Sequence, residues 1–214
     1  MTVPLAARLR SATHELHRAV ERAGLMPALL RGQLPLAGYV ALLRNLQPIY
    51  AALEAGLLRH AAHPQLAPLP LAGLARAPAL AADLVALHGP GWARELPLCA
   101  AAQAYVARLQ QLADGQPALL AAHAYVRYLG DLNGGQLLAR RVGLALHLAP
   151  GQGLAFYDFG SDEQAAAQAR ALRAGLDAIA PDEPAAQALV DEACSAFERH
   201  RELFEQLAPP VALH

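Results

Sequence analysis

A carboxylate and three glycines lie within residues 123–136, in a segment whose other residues favour a helix. Each glycine in a helix interior costs about 1 kcal/mol relative to alanine, so Gly130, Gly134 and Gly135 require a compensating role. Positions without side chains let a helix bend. They also let its backbone lie close to something bulky, either a neighbouring helix or a planar cofactor. The spacing of the glycines agrees with both kinds of contact.

Hydrogen-bonding side chains surround these glycines, where a simple packing interface would carry Ala and Leu. They belong to Tyr125, Arg127, Tyr128 and Asp131. Their concentration predicts a polar pocket beside the glycines. The alternative is that Asp131 is an exposed carboxylate, paired with Arg127 four residues earlier on the same helix face.

A histidine on the first predicted helix is a candidate metal ligand. His17 lies at the edge of the apolar stripe, and Glu21 follows four residues later on the same face. A metal-bound imidazole needs its second nitrogen tied to an acceptor, which Glu21 provides directly or through water. Arg10 and Thr13 share this face, so a cation is available for an acidic group of a ligand. From the helix alone, an ordinary surface ion pair is the simpler interpretation, and His14 is a rival ligand.

Helical periodicity accounts for most of the chain, because apolar residues recur every three or four positions between glycine and proline signals. The predicted helices cover about residues 5–23, 36–61, 78–87, 97–113, 117–148, 162–179 and 183–207, with loops at 63–70 and 149–153. Pro48 falls inside the second helix and is expected to bend it. No alternation typical of strands occurs, so we expect an all-α protein.

Bulk composition limits the classes of function. The chain has 214 residues, and we expect a single domain over residues 1–214 with a short tail from about residue 209. A net charge of −1 provides no basic field for binding nucleic acid. Neither a long apolar window nor a start typical of a signal peptide occurs. We therefore expect a cytoplasmic protein without a membrane anchor.

The two cysteines, Cys99 and Cys194, lie far apart in segments predicted as helix interiors. We expect them to be small buried apolar residues rather than a disulfide or a metal-binding pair. A reducing compartment agrees with this expectation.

The sequence resembles the haem oxygenase family from about residue 9 to residue 207. Residues 123–136 resemble the distal-helix signature of the family, and residues 12–21 resemble its proximal segment. Further similar segments are residues 46–54, 153–159, 196–197 and 203–205. The resemblance implies one compact multi-helix domain, in which haem is sandwiched between a proximal helix and a kinked distal helix.

The resemblance also implies roles for individual residues. His17 would be the proximal iron ligand with Glu21 as its partner. Asp131 would organise proton delivery through ordered water, assisted by Tyr50 and Arg127. The other haem-binding residues implied are Arg10, Thr13, Met26, Tyr125, Gly130, Gly134, Gly135, Arg173, Phe197 and Phe204.

One departure from the family pattern concerns the haem propionates. Arg173 lies where the family places a propionate-binding arginine, but the neighbouring basic position is Ala169, with Arg170 beside it. Because the propionates set the orientation of haem in its plane, these contacts also decide which meso carbon is attacked.

The implied reaction is the oxidative opening of haem, both cofactor and substrate, to biliverdin, carbon monoxide and ferrous iron. It requires dioxygen and electrons from an external donor. The implied partners are a soluble ferredoxin, flavodoxin or flavin reductase, and a bilin-accepting protein. Two alternatives stay open: a haem carrier or sensor without chemistry, and an unrelated all-α enzyme such as a thiaminase-like fold. Asp131 and Tyr50 favour the oxygenase.

Overall fold

The computed structural model describes residues 3–149 and 151–208, and all regular secondary structure in these ranges is helical. The helices are α1 (Leu5–Val20), α2 (Met26–Leu30), α3 (Leu36–Arg59), α4 (Ala77–His88), α5 (Trp92–Glu95), α6 (Ala100–Gly115), α7 (Leu120–Ala145), α8 (Asp162–Ala178) and α9 (Glu183–Gln206). Short 3₁₀ turns span Pro117–Leu119 and Ala155–Tyr157. The predicted all-α class is confirmed. In the described part of the chain, no helix is long and apolar enough to span a membrane.

Helix α7 lies at the centre of the packing. It contacts α3, α8 and α9, and its residues from Leu120 to Leu129 are all buried. Helix α1 packs against α9, while α3 packs against α4 and α6. Because α7 contacts both groups, it is the element around which side chains from α1, α3 and α9 converge.

Buried tyrosines anchor several of these elements. Tyr39, Tyr50, Tyr105 and Tyr128 are among the largest fully buried side chains. A buried hydroxyl group requires a hydrogen-bond partner. Tyr39 donates to the backbone carbonyl of Gly153 at 2.9 Å, which fixes the loop before α8 to α3.

The predicted helices are all present, with bounds that agree within three residues. Helix α6 begins later than predicted because residues 97–99 lie outside the helix and Cys99 is extended, and α7 begins later because Pro117–Leu119 form a 3₁₀ turn. The glycines of α7 do not interrupt it, and α3 continues through Pro48. The loop predicted at 63–70 lies outside the helices. Part of the second predicted loop (Pro150), and the tail predicted from 209, lie outside the described residues.

The sequence failed to predict two short helices, α2 and α5. At five and four residues they are too short to show helical periodicity. The prediction for the cysteines was wrong in part. Cys99 is the N-cap residue of α6 and has an extended backbone, so it does not lie inside a helix. Cys99 and Cys194 are both only half-buried. Both are free thiols, as predicted.

Gly24 follows α1 for a steric reason. Its φ of +52° lies in the left-handed region, and a Cβ atom there would stand 1.8 Å from the backbone oxygen of Phe204. The same carbonyl accepts a hydrogen bond from the backbone N–H of Leu25 at 3.1 Å. The turn between α1 and α2 is therefore tied to the end of α9.

Candidate active site

A cleft opens between α1 and α7, and its walls include parts of α2, α3 and α9. Its empty volume, including the open mouth, is about 1030 Å³. Most of its lining is apolar and includes Met26, Phe197 and Phe204. Its polar side chains are those of His17, Glu21, Arg127, Asp131, Tyr157 and His200. An apolar cleft with a few converging polar groups is typical of a cofactor or small-molecule site.

Two glycines of α7 present bare backbone to this cleft. A Cβ atom on Gly130 or Gly134 would meet no described atom within 4 Å. Gly135 differs, because its Cβ atom would lie 3.4 Å from Cδ1 of Tyr157. Gly130 and Gly134 therefore leave open space for a ligand, whereas Gly135 makes room for a neighbouring ring. Of the two kinds of contact predicted for these glycines, close packing on a neighbouring helix applies to neither Gly130 nor Gly134 among the described residues.

His17 lies on the opposite wall, on α1. Its Nδ1 atom is 3.7 Å from Oε1 of Glu21, and its side chain is 54% exposed. Its ring packs edge-on against Phe197, with centroids 5.9 Å apart. With Nδ1 facing the carboxylate, Nε2 is left to bind a metal. His14, the rival ligand, instead borders a separate shallow depression beside Arg10.

Asp131, Tyr50 and Arg127 form one hydrogen-bonded group at the cleft. The hydroxyl group of Tyr50 donates to Oδ2 of Asp131. Arg127 donates to the same hydroxyl group from Nε at 2.9 Å and from Nη2 at 2.7 Å. Its Cζ atom also lies 4.6 Å from the centre of the Tyr50 ring. Asp131 is therefore linked to Arg127 through a buried tyrosine of α3, and it is not the exposed surface carboxylate of the alternative prediction.

Burial controls the protonation of this group. It raises the pKa of Asp131 above the ordinary value, although the charge of Arg127 and the hydrogen bond from Tyr50 act in the opposite direction. Burial also raises the pKa of the Tyr50 hydroxyl group well above its ordinary value, so this group stays a proton donor. A carboxyl group of raised pKa beside an open cleft is suited to holding and passing on a proton.

His200 belongs to the same group, and the sequence analysis missed it. It lies on α9, and its Nε2 atom contacts Nη1 of Arg127. Its spacing from Phe197 and Phe204 places the three side chains on one helix face, which was the available signal. The charged residues around it, within 198–202, resemble a solvated surface and obscured that signal.

Four other predicted site residues form a separate group outside the cleft lining. The hydroxyl groups of Thr13 and Tyr125 lie 3.2 Å apart. Burial raises the pKa of Tyr125, and the hydrogen bond with Thr13 and the charges of Arg10 and Arg173 oppose that shift. Arg173 also donates to Oδ1 of Asn133 at 3.3 Å. The two predicted cations, from α1 and α8, therefore act electrostatically on the same hydroxyl group.

A second buried polar group lies beyond His200. The Tyr105 hydroxyl group is 3.0 Å from Nδ1 of His123, and Nε2 of His123 is 3.0 Å from Oε1 of Glu192. Glu192 also pairs with Arg108. Burial raises the pKa of Glu192, but His123 and Arg108 outweigh it and lower that pKa to about 2. This group ties α6, α7 and α9 together.

The residues of the cleft fit a haem better than a free metal ion. In the described part of the chain, no group of three or more His, Cys, Asp or Glu side chains could hold a metal ion. Haem iron needs few protein ligands because the porphyrin supplies four nitrogens, and a single imidazole suffices on one face. The bare backbone at Gly130 and Gly134 leaves the space that a flat macrocycle needs on the other face.

Comparisons with known proteins match nearly the whole chain. The family model described as Heme oxygenase matches residues 3–206. The protein is 35% identical to Heme oxygenase 1 of Nostoc sp. over 207 residues, which covers 97% of this chain and 87% of the relative. It is 36% identical to Heme oxygenase 1 of Homo sapiens over 209 residues, which covers 97% of this chain and 73% of the relative.

Solved structures give the same result. The crystal structure of heme oxygenase-1 from the cyanobacterium Synechocystis sp. in complex with heme has a TM-score of 0.89 at 36% identity, covering 96% of this chain and 92% of that chain. The crystal structure of heme oxygenase-2 from Synechocystis sp. in complex with heme and NO has a TM-score of 0.92 at 35% identity. The match covers 96% of this chain and 85% of that chain. Fold and cleft define an all-helical protein with an apolar cleft between α1 and α7 in the described part of the chain. The chain belongs to the haem oxygenase family, as its sequence resemblance implied.

Proposed function

We propose that this protein binds one haem in the cleft between α1 and α7 and opens it to biliverdin, carbon monoxide and ferrous iron. Membership of the haem oxygenase family supports a haem-degrading enzyme. The observation that carries the proposal is the placement of His17 opposite Gly130 and Gly134, with Asp131 beside them in one apolar cleft. Haem is the substrate, and dioxygen and electrons are the co-reactants.

The two walls of the cleft contribute differently to haem binding. His17 holds the iron through Nε2, and Glu21 orients the ring through Nδ1. Gly130 and Gly134 would let the backbone of α7 approach the opposite face of a bound haem. Bound haem supplies the iron that activates dioxygen and the porphyrin carbon that is oxidised.

Asp131 organises proton delivery. Tyr50 occupies Oδ2 of Asp131, which leaves the second carboxylate oxygen for ordered water in the cleft. Arg127 fixes the Tyr50 hydroxyl group from two nitrogen atoms, so the direction of its proton is set. A network of fixed hydrogen bonds among Asp131, Tyr50 and Arg127 delivers a proton to one position. It also keeps disordered water from delivering a proton elsewhere.

Arg10 and Arg173 are the proposed partners of the haem propionates. The charges of both arginines oppose the raised pKa of Tyr125, whose hydroxyl group lies 3.2 Å from that of Thr13, one helical turn before His17. Replacing either arginine by Glu should weaken haem binding by roughly 1.5–3 kcal/mol per lost charge-assisted contact, less where the contact is exposed, or change the ratio of biliverdin isomers. Wild-type affinity and isomer ratio in both variants would assign this role to Arg170 or His14.

The electrons come from a soluble donor, for which we propose a ferredoxin, a flavodoxin or a flavin reductase. The open mouth of the cleft and the half-exposed ring of His17 support access for such a partner. A bilin-accepting protein would remove the product. The cytoplasmic location and the single domain over residues 1–214 stay predictions.

A haem titration followed by reduction tests the function. Haemin is added to one equivalent, then ascorbate with catalase, which removes free hydrogen peroxide. An oxygenase loses its Soret band while a bilin absorption grows, and chromatography identifies biliverdin and its isomer. A carrier or sensor keeps the Soret band, and a thiaminase-like enzyme forms no 1:1 haem complex.

A further inference from the structure

His200 is a buried imidazole to which the proposed mechanism gives no role. It is 3% exposed, and it lines the cleft on the same face of α9 as Phe197 and Phe204. Its ring packs edge-on against Tyr105, with centroids 5.3 Å apart, and lies 5.9 Å from that of Phe204. An apolar side chain would satisfy these packing contacts equally well, so they do not explain a histidine.

One ring nitrogen of His200 has a side-chain partner. Its Nε2 atom contacts Nη1 of Arg127. Because guanidinium N–H groups only donate, Nε2 must carry a lone pair. In a neutral ring the proton is then on Nδ1. The contact with Arg127 therefore requires one tautomer of a neutral imidazole.

The surroundings of the ring keep it neutral. Burial lowers the pKa of His200 well below the ordinary value, and Arg127 and His123 act in the same direction. The two carboxylates in the neighbouring groups, those of Asp131 and Glu192, have other hydrogen-bond partners. His200 is therefore available as an acceptor to Arg127.

We propose that His200 is a positioning residue for haem opening, whose Nε2 atom holds the Arg127 guanidinium group against the Tyr50 hydroxyl group. Arg127 is then held from two sides. Its Nη1 atom contacts His200, and its Nε and Nη2 atoms donate to the Tyr50 hydroxyl group. The hydroxyl group receives two N–H donors, so its own proton is directed to Asp131. His200 thus acts on Asp131 through two other side chains. The effect on turnover rests on the proposed function, whereas the hydrogen bond does not.

Two substitutions of similar size separate this role from packing. His200→Leu fills the space but offers no acceptor, whereas His200→Gln keeps a neutral acceptor near the position of Nε2. We expect His200→Leu to lower kcat by about 10-fold to 100-fold, since small misplacements of catalytic groups are costly. Its haem Kd should stay within about threefold of wild type, because the lost contact orients rather than binds. His200→Gln should recover most of the lost kcat.

His63→Gln is the matched control, because it makes the same replacement in the loop between α3 and α4, outside the cleft lining. It should behave as wild type. Equal losses of kcat in the Leu and Gln variants would show that the ring serves packing, and wild-type kcat in the Leu variant would show that the contact has no function. Either result overturns the proposal.

Nitrogen-15 NMR of the haem-free protein tests the hydrogen bond without turnover. The signals of His200 are assigned by their loss in the Gln variant. At pH 7 we expect protonated Nδ1 and unprotonated Nε2. A proton on Nε2, in the other tautomer or in a charged ring, overturns the proposal. If wild-type protein opens no haem, the proposed function fails, and the NMR result still decides whether His200 accepts from Arg127.

Discussion

The hydroxyl group of Tyr50 on α3 donates a hydrogen bond to Oδ2 of Asp131 on α7. The two residues are 81 positions apart in the sequence. The carboxylate is therefore fixed by a second helix, which also carries part of the cleft lining. This bond links the polar group of the site to the core, where Tyr50 is fully buried.

The first prediction concerns the proton role of Asp131. Asp131→Asn keeps the shape and an acceptor for Tyr50 but cannot supply a proton. Haem should bind 1:1 with a Soret band near wild type, and biliverdin formation should fall by about 100-fold or more, as is typical when a positioned acid is lost. Asp114→Asn, at an exposed carboxylate paired with Arg59 on the protein surface, is the control. Biliverdin formation at the wild-type rate in Asp131→Asn would assign proton delivery to another group.

The second prediction concerns the iron ligand. His17→Ala removes the imidazole that faces the cleft, so it should abolish the wild-type ferric spectrum and haem opening. His14→Ala removes an imidazole outside the cleft lining and should leave both unchanged. Absorption spectra of the two haem-loaded variants provide the measurement. An unchanged spectrum in His17→Ala would refute the assignment.

The third prediction uses the open space beside Gly134. Gly134→Ala should raise the free energy of unfolding of the haem-free protein by up to about 1 kcal/mol, because alanine favours the helix. Gly134→Leu should fold but fill the cleft, so its haem affinity should fall. Gly115→Leu, at an exposed glycine that also has no described neighbour within 4 Å, is the control for haem affinity. Wild-type haem affinity in Gly134→Leu would mean that haem does not lie against this glycine.

The fourth prediction concerns the pH dependence of stability. The folded state lowers the pKa of Glu192 from 4.5 to about 2. The ionised form is therefore favoured by folding, and the resulting stability is present above pH 4.5 and is lost as the pH falls towards 2. Glu192→Gln should destabilise the haem-free protein by roughly 1–3 kcal/mol at pH 7.

Denaturant titrations at several pH values measure this effect. The difference between wild type and Glu192→Gln should narrow as the pH falls below 4.5. Glu202→Gln removes an exposed carboxylate of the same helix and should show no such dependence. A stability difference that is constant with pH would show that the ion pair with Arg108 and the bond from His123 do not hold the carboxylate in its charged form.

Local features of the sequence determined the helices and several relationships within them. Apolar periodicity, with glycine and proline at the boundaries, predicted the long helices within three residues. The spacing of His17 and Glu21 placed them on one face, and that of Gly130 and Gly134 placed them one turn apart. Such features follow from the geometry of a single helix, which the order of residues fixes without reference to the rest of the chain.

Contacts between helices depended on the tertiary structure alone. Nothing local to α7 indicates that Gly135 faces Tyr157 while Gly130 and Gly134 stay open, or that the partner of Asp131 comes from α3. His200 lies among charged residues in the sequence, and only the packing of α9 shows that it contacts Arg127. The sequence of one helix sets which residues share a face. The packing of neighbouring helices decides which face is buried, which charges are desolvated, and therefore which side chains make up the site.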